Sequence, residues 1–477
     1  MKIFLIWSNG SQKDLDFIAG LKRSGHEIIY WTARKVLKED AEEMPGTILH
    51  DHWDAWIGIP PKELADSKFD PPEAELIKKM SSAEAIIMTM MNKHFEGMCV
   101  DERKHFYYNN LRYWHGALNK IKPDLILMDG PPHPDYCYLV FELARLLKIN
   151  TLIFEHTWVS GRLVWYNDIC QGSVALSEEM EKNKNKKFTL DDLSEDLRQY
   201  VKFNTNGDND TTPSYLKEAR KKNSFGNRII LKMKIIGKSL KDFTFPKKVA
   251  VYFKKLLINN IQKEYRCLQD FHPDLSKNFI YAPLQYQPEC STSPMGGIFV
   301  DQILMIQILA ATVPEGWLVY VKEHPAQWMS FGLNYTDYRY PGYYKKIAEI
   351  KNVRLVPVGM DTFSLIKKSQ AVATATGTAG WEALLRQKPA LVFGNAWYKD
   401  CPGSWRISGP TSCRQAIKEI ENGNLPDYQS LINYLKCFEL ASVRYHIEGL
   451  PEEDMESIGR ECAADFLALV NRELKKL

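Results

Sequence analysis

Ala371-Val372-Ala373-Thr374-Ala375-Thr376-Gly377-Thr378-Ala379-Gly380-Trp381-Glu382-Ala383-Leu384-Leu385 runs from small apolar residues, through hydroxyls and glycine, into an apolar stretch of helix formers. Residues 371–375 read as a buried strand and residues 380–386 as a helix, so the stretch is a strand–turn–helix unit. The same rhythm extends outward. Upstream, candidate strands at 279–283, 318–322 and 353–356 alternate with candidate helices at 301–311, 343–350 and 362–368; downstream, 390–394 reads as the next strand. The N-terminal half repeats the pattern, with strands at 2–7, 26–31, 85–90, 124–128 and 151–154 and a helix at 14–24 closed by Gly25. Such alternation predicts parallel sheets covered by helices. The fold class is therefore α/β, with two Rossmann-like doubly wound parallel-sheet domains.

Composition excludes several other classes. The 477 residues are 45% hydrophobic and 25% charged. That is ordinary globular usage, unlike a disordered chain, a collagen or a coiled-coil rod. No apolar run reaches the ~18–20 residues of a spanning helix, and residues 3–7 are too short a run for a signal peptide. The nine cysteines are scattered, odd in number and without a CxxC pair. We read them as reduced thiols in a cytoplasmic protein, neither a disulfide framework nor a zinc site.

Net charge is +3, from 62 Lys+Arg against 59 Asp+Glu, but it is unevenly spread. From Pro213 to Lys263 there are 14 Lys+Arg and 2 Asp+Glu, a local +12 that leaves −9 for the rest. Ile229, Met233, Ile236 and Leu240, then Val249, Phe253, Leu256 and Ile261, recur there at helical spacing. Two basic amphipathic helices are expected. One reading is a lysine-coated pair packed on its own domain; another is attachment to an anionic membrane surface. Nucleic acid is the weaker reading, because aromatics are sparse and no recognised module surrounds the segment. The layout expected is an N-terminal Rossmann-like acceptor-side domain at 1–177, a basic helical insertion at 178–265, a C-terminal Rossmann-like donor domain at 266–440 and a helical segment at 441–477. In the last, Ile458, Cys462, Phe466 and Val470 share a helix face.

Ligands of open parallel sheets bind beyond the carboxyl ends of the strands, so those ends hold the candidate chemistry. Asp129 follows one strand, in Met128-Asp129-Gly130-Pro131-Pro132-His133, and suits a general base or nucleophile, or a helix cap. Glu155 and His156 follow the next strand and would join Asp129 if the two strands are neighbours. Lys322 and His324, before Pro325, suit an anion, or merely a turn. Thr376, Gly377 and Thr378 open a helix, where backbone N–H groups and hydroxyls bind phosphate or simply cap. No GK[ST] follows and no GxGxxG is present, which removes support for P-loop and dinucleotide sites. The polar turn Gln285-Tyr286-Gln287-Pro288-Glu289 can approach a ligand or pack by its tyrosines. His50-Asp51-His52-Trp53-Asp54 has metal-ligand residue types at no standard spacing and is expected to be a surface loop. Cys290 is expected to be inert.

Three of these stretches together resemble the capsule polysaccharide biosynthesis family, which includes the Kdo transferases of capsule assembly. They are Gln285-Tyr286-Gln287-Pro288-Glu289 through Gly296-Gly297, Lys322-Glu323-His324-Pro325, and Thr376-Gly377-Thr378-Ala379-Gly380-Trp381-Glu382. Bacterial sialyltransferases share the HP and Ser/Thr motifs more distantly. The resemblance covers about residues 279–405, with a looser echo at 124–158. It implies a GT-B glycosyltransferase whose two domains face a central cleft. It also implies a CMP-activated acidic sugar, such as Kdo or a nonulosonic acid, transferred to a glycan or lipid-linked acceptor. Carried over by motif, His324, Thr376, Gly377 and Thr378 hold the donor phosphate, and Gln287, Glu289, Lys322 and Glu382 line the nucleotide side. Asp129, seconded by Glu155 and His156, matches the catalytic carboxylate. No DxD-like cluster lies at a strand end, so metal-independent transfer is expected, with no cofactor beyond the nucleotide-sugar substrate. The expected site of action is the cytoplasm, at the inner face of the membrane. The alternatives are a sugar-nucleotide epimerase or hydrolase, which can share the glycine-rich loop and Glu382, or a non-catalytic partner in polysaccharide export.

Overall fold

The computed structural model describes residues 1–8, 11–34, 44–95, 97–205, 261–328, 339–445 and 461–477. Most of the basic segment, and the two amphipathic helices expected in it, lie outside the described residues. The chain forms two compact units. The first holds Met1–Tyr200, Pro288–Val300 and Ile432–Leu477; the second holds Val201–Gln287 and Asp301–Leu431.

In the first unit the strands are β1 (Lys2–Ile6), β2 (Glu27–Ala33), β3 (Ile48–Asp51), β4 (Leu125–Met128), β5 (Asn150–His156) and β6 (Arg162–Tyr166). A two-residue strand at Val443–Arg444 completes the sheet, β13 in chain order. The order is β13-β6-β5-β4-β1-β2-β3. Pairing is parallel from β5 to β3, whereas β6 and β13 run antiparallel to their neighbours. Apart from Lys2 at the start of β1, the central strands β1 and β4 are buried along their length, since helices cover both faces, which is why they read as unbroken apolar runs. The helix Gln12–Arg23 starts where the Ser11 hydroxyl accepts the Asp14 N–H (3.3 Å) and stops before Gly25 at φ +86°.

The terminal helix, Glu461–Leu474 among the described residues, packs on this unit. The fully buried Phe466 ring stacks on Tyr445 (4.1 Å, 11°) and meets Phe154 (4.8 Å), Phe17 (4.9 Å) and Trp7 (6.0 Å). Gly20 allows this approach, for a Cβ there would lie 2.5 Å from Leu467 Cδ2.

In the second unit the strands are β7 (Phe279–Pro283), β8 (Leu318–Lys322), β9 (Val353–Leu355), β10 (Ala371–Thr374), β11 (Ala390–Val392) and β12 (Ser404–Arg406). The sheet is parallel throughout, in the order β12-β11-β10-β7-β8-β9. Both units are thus doubly wound, and each starts from a central strand (β1, β7), proceeds to one edge and then returns to the other side.

Two expectations fail, and one element was not expected. The run at 85–90 is not a strand but the end of the helix Ser81–Met90, where Ala83, Ile87 and Met90 bury one face. A short apolar run fits either period, and tertiary packing decides. The β5–β6 hairpin was not anticipated; its turn carries positive φ at Trp158, Ser160 and Gly161. His50 is not in a surface loop. It is 1% exposed on β3, where Nδ1 accepts from the Tyr30 hydroxyl (2.7 Å) and Nε2–H donates to the Ile59 carbonyl (2.8 Å).

Candidate active site

The second sheet reverses its winding between β7 and β10, the usual place for a ligand in such a fold. The ends of β7, β8 and β10 gather there. Just after β7, the Gln285 N–H donates to Gln302 Oε1 (2.7 Å), and Gln302 Nε2 donates back to the Gln285 carbonyl (3.1 Å). The Gln285 amide oxygen accepts from the Thr376 N–H (2.9 Å), the Thr374 hydroxyl (3.2 Å) and the Gly377 N–H. Gln285 thereby shapes the loop leading into the helix Thr378–Leu385. The approach is tight: a Cβ on Gly377 would lie 2.7 Å from the Gln285 amide and 2.9 Å from Thr374 Oγ1. A Cβ on Gly380 would lie 2.5 Å from the Tyr398 hydroxyl, which itself donates to the Gly377 carbonyl. Thr376 and Gly377 are half-buried, and Thr378 is exposed at the helix start.

At the end of β8, His324 is half-buried, with its ring 5.8 Å from Tyr286. Burial lowers its pKa to about 4, aided by Arg339 and Lys322 and opposed by Glu323. Ala326 N–H donates to His324 Nδ1 (3.2 Å), so the proton of the neutral ring sits on Nε2. His324 is thus a neutral hydrogen-bond donor at pH 7. Beneath it the fully buried Glu323 and Arg339 form a two-pronged pair, Nε to Oε2 at 2.9 Å and Nη2 to Oε1 at 3.1 Å. Tyr344 donates to Glu323 Oε2 (2.6 Å), and Arg339 also donates to the Gln285 carbonyl (2.9 Å) and to Gln287 Oε1. Gln287 is locked further by reciprocal bonds with Gln327 (3.0 and 3.1 Å). Lys322 is 4% exposed, with its ammonium on the Met360 carbonyl (2.8 Å) and the Thr362 hydroxyl (2.6 Å). It supports the site rather than presenting an open cation. Burial raises the pKa of Glu382, against Arg386 and Lys322.

The first unit has its own switch point, between β1 and β4. There Asp129 Oδ2 accepts the Ser8 N–H (2.8 Å) from the end of β1, and the Asp129 N–H donates to the Ile6 carbonyl (3.1 Å). Desolvation raises the Asp129 pKa to about 6, with Asp14 adding to it and Ser8 and Arg34 opposing. Asp129 is thus ionised at neutral pH yet basic enough to take a proton. β4 and β5 are neighbours as expected, but Met128 pairs with Ile153, which sets Asp129 level with Phe154. Pleating turns Glu155 to the opposite face, where it accepts from the Tyr166 hydroxyl (2.6 Å). The next residue, His156, accepts the Trp158 N–H on Nδ1 (3.2 Å). Glu155 and Asp129 therefore do not form one acid/base pair.

Glu289 belongs to the first unit, whereas Gln287 belongs to the second. The Glu289 carboxylate lies 3.2 Å from His133 Nε2 and 3.8 Å from Lys93 Nζ, and these neighbours hold its pKa down against burial. Cys290 is pushed up to about 12 by burial, Glu289 and Glu155, so it is no nucleophile at neutral pH. Among the described residues no group of three or more His, Cys, Asp or Glu has the geometry to hold a metal ion. Gln285, Glu323 and His133 stood in the quoted sequence stretches without a role of their own, and Arg339 and Ser8 were not singled out from sequence. A strand-end position flagged Gln285 and Glu323, but nothing local marks Arg339.

Residues 291–406 match the family described as capsule polysaccharide biosynthesis protein. No curated protein matches the chain. Among solved structures, KpsC of Thermosulfurimonas dismutans, a beta Kdo 2,7 transferase, is 15% identical over 62% of this chain and 73% of its own, at TM-score 0.26. The UDP-GlcNAc 2-epimerase of Neisseria meningitidis, solved with UDP-GlcNAc, is 13% identical over 96% of this chain and 98% of its own, at TM-score 0.26. The S. aureus MnaA–UDP structure is 12% identical over 91% of each chain, also at TM-score 0.26. Likeness at this level assigns no activity.

Proposed function

We propose that this chain is a glycosyltransferase of surface polysaccharide synthesis. It would move a sugar from a CMP-activated acidic donor, such as a Kdo or nonulosonic acid nucleotide, to a glycan or lipid-linked acceptor. The observation that carries the reading is the strand-end cradle of the second unit, inside the 291–406 family match. A neutral His324 with its proton on Nε2 and the exposed Thr378 at the start of the helix offer uncharged donors to an anion, beside the Thr376 and Gly377 N–H groups that Gln285 holds. These suit the single phosphate of a CMP leaving group, whose developing charge they would stabilise without a metal or other cofactor. Gln287 lines the nucleotide, while Lys322 and Glu382 support the cradle from behind. Asp129 takes the proton of the acceptor hydroxyl, or attacks the anomeric carbon itself; its raised pKa suits the first role.

No helix among the described residues is long and apolar enough to cross a membrane. We propose that the basic segment meets an anionic surface where a lipid-linked acceptor would lie. Charge reversal at Lys247, Lys248, Lys254 and Lys255 should abolish liposome binding; unchanged binding rejects this part.

The test of the donor class is thermal shift with CMP, UDP and GDP. At 100 times its dissociation constant a ligand adds about 2.7 kcal/mol of stability. Selective stabilisation by CMP supports the reading, and preference for UDP removes the CMP-sugar donor. Turnover of a sugar nucleotide to an epimer or free sugar, without any acceptor, would replace the transferase with an epimerase or hydrolase.

A further inference from the structure

Beyond Asp129, the carboxyl edge of the first sheet carries an aromatic stack. The helix His52–Trp56 follows β3 directly, with Asp51 capping its start. Trp53 and Trp56 stack nearly parallel, at 5.5 Å and 8°. Trp56 is 7% exposed and anchors the pair, whereas Trp53 is 54% exposed, so one indole face is covered and the other meets solvent. A large flat apolar ring held rigid at the surface is costly to expose and suited to a ligand with a flat apolar face.

The rim of this platform is polar. His94 stands edge-on to both indoles, 4.0 Å from Trp56 and 6.0 Å from Trp53. His52 lies 5.4 Å from each, and its Nδ1 is bonded to the Tyr136 hydroxyl (3.0 Å). Burial lowers the pKa of both imidazoles, His52 to about 4, so each is neutral; with its Nδ1 on Tyr136, His52 has Nε2 to turn to a ligand. Next to His94 in the chain, Lys93 opens the Lys93–His133–Glu289 cluster, and His133 acts electrostatically on both His52 and His94.

We infer that Trp53 is the floor of a sugar-ring subsite. A pyranose presents C–H groups on one face and hydroxyls, each both donor and acceptor, around its edge. An open indole bordered by neutral imidazoles matches both features. The geometry is less suited to an apolar peptide side chain, which offers no hydrogen-bonding group to the imidazole rim. The assignment of this ring as the acceptor's rests on the transferase reading; the subsite itself does not.

The test is saturation-transfer NMR on the full chain with the methyl glycosides of glucose, galactose and sialic acid, which requires neither nucleotide nor turnover. Saturation of ring C–H protons is expected in the wild type. It should fall about 2- to 10-fold in Trp53→Ala, the range of one aromatic contact, and recover in part in Trp53→Phe. The exposed position of Trp53 keeps the fold, and the nucleotide-induced thermal shift should stay unchanged, which separates failure here from failure of the donor reading. Equal saturation in wild type and Trp53→Ala, or none in the wild type, overturns the subsite. A response to cytidine or uridine with none to the glycosides also overturns it, by assigning the ring to a base.

Discussion

Replacing His324 by alanine removes one neutral hydrogen-bond donor from the proposed phosphate cradle, together with the ring acceptor of the Ala326 N–H. The ring is half-buried, and the bond that anchors its backbone, His324 N–H to Glu323 Oε1 at 2.7 Å, does not involve the ring. Loss of a single preorganised donor to developing charge costs about 10²–10³ in rate, or roughly 3–4 kcal/mol. The same ring makes a second, independent signal. Its pKa is lowered to about 4 in the folded chain against about 6.5 unfolded, so the unfolded chain binds the extra proton between those values. A histidine with a depressed pKa therefore withdraws stability as pH falls: none above about 6.5, about 2 kcal/mol at pH 5, and roughly 3 kcal/mol below 4. The alanine variant lacks this loss. Initial rates with a CMP-sugar donor, and urea unfolding at pH 7.5 and pH 5, measure both effects. Wild-type turnover by the variant would remove His324 from the site. An identical acid loss in both proteins would refute the buried neutral ring.

Asp129→Asn keeps an acceptor for the Ser8 N–H but not the base, so transfer should nearly vanish while circular dichroism is unchanged. In the wild type the raised Asp129 pKa predicts that activity falls as pH drops through about 6; an acid limb near 4 would contradict this carboxylate as the base. Gly377→Ala drives a methyl into the Gln285 amide and Thr374 hydroxyl and should cost about 1–3 kcal/mol, with a weaker nucleotide-induced thermal shift as the diagnostic. Phe466→Ala empties the aromatic cluster that seats the terminal helix and should cost about 3–5 kcal/mol in urea unfolding; a loss under about 1 kcal/mol would mean that helix is not needed by the first unit.

Strand positions were legible because both sheets are buried on two faces. Continuous runs such as Ile3-Phe4-Leu5-Ile6 and Leu125-Ile126-Leu127-Met128 then have no other stable home. Legibility failed where one local pattern serves two structures. The run at 85–90 is as apolar as a strand, and only the surfaces against Ala83, Ile87 and Met90 make it a helix. The β5–β6 hairpin was hidden because its turn uses Trp158 and Ser160 at positive φ, without an Asn-Gly signal.

The candidate site divides in the same way. Thr376-Gly377-Thr378, His324 and Asp129 could be named from sequence because strand ends are where such a fold exposes its chemistry. What the chain alone determined was thus the identity of the groups and the edge of the sheet on which they stand. Their partners depend on register and long-range packing. Arg339 reaches Glu323 from 16 residues away and Gln285 from 54, and one residue of offset turns Glu155 from Asp129 to Tyr166. Glu289, two residues after Gln287, leaves that unit for His133 and Lys93 in the other. Only tertiary structure decides such pairings, because a buried charge or amide is tolerable solely where a specific partner meets it, and that partner's place in the sequence carries no local signal.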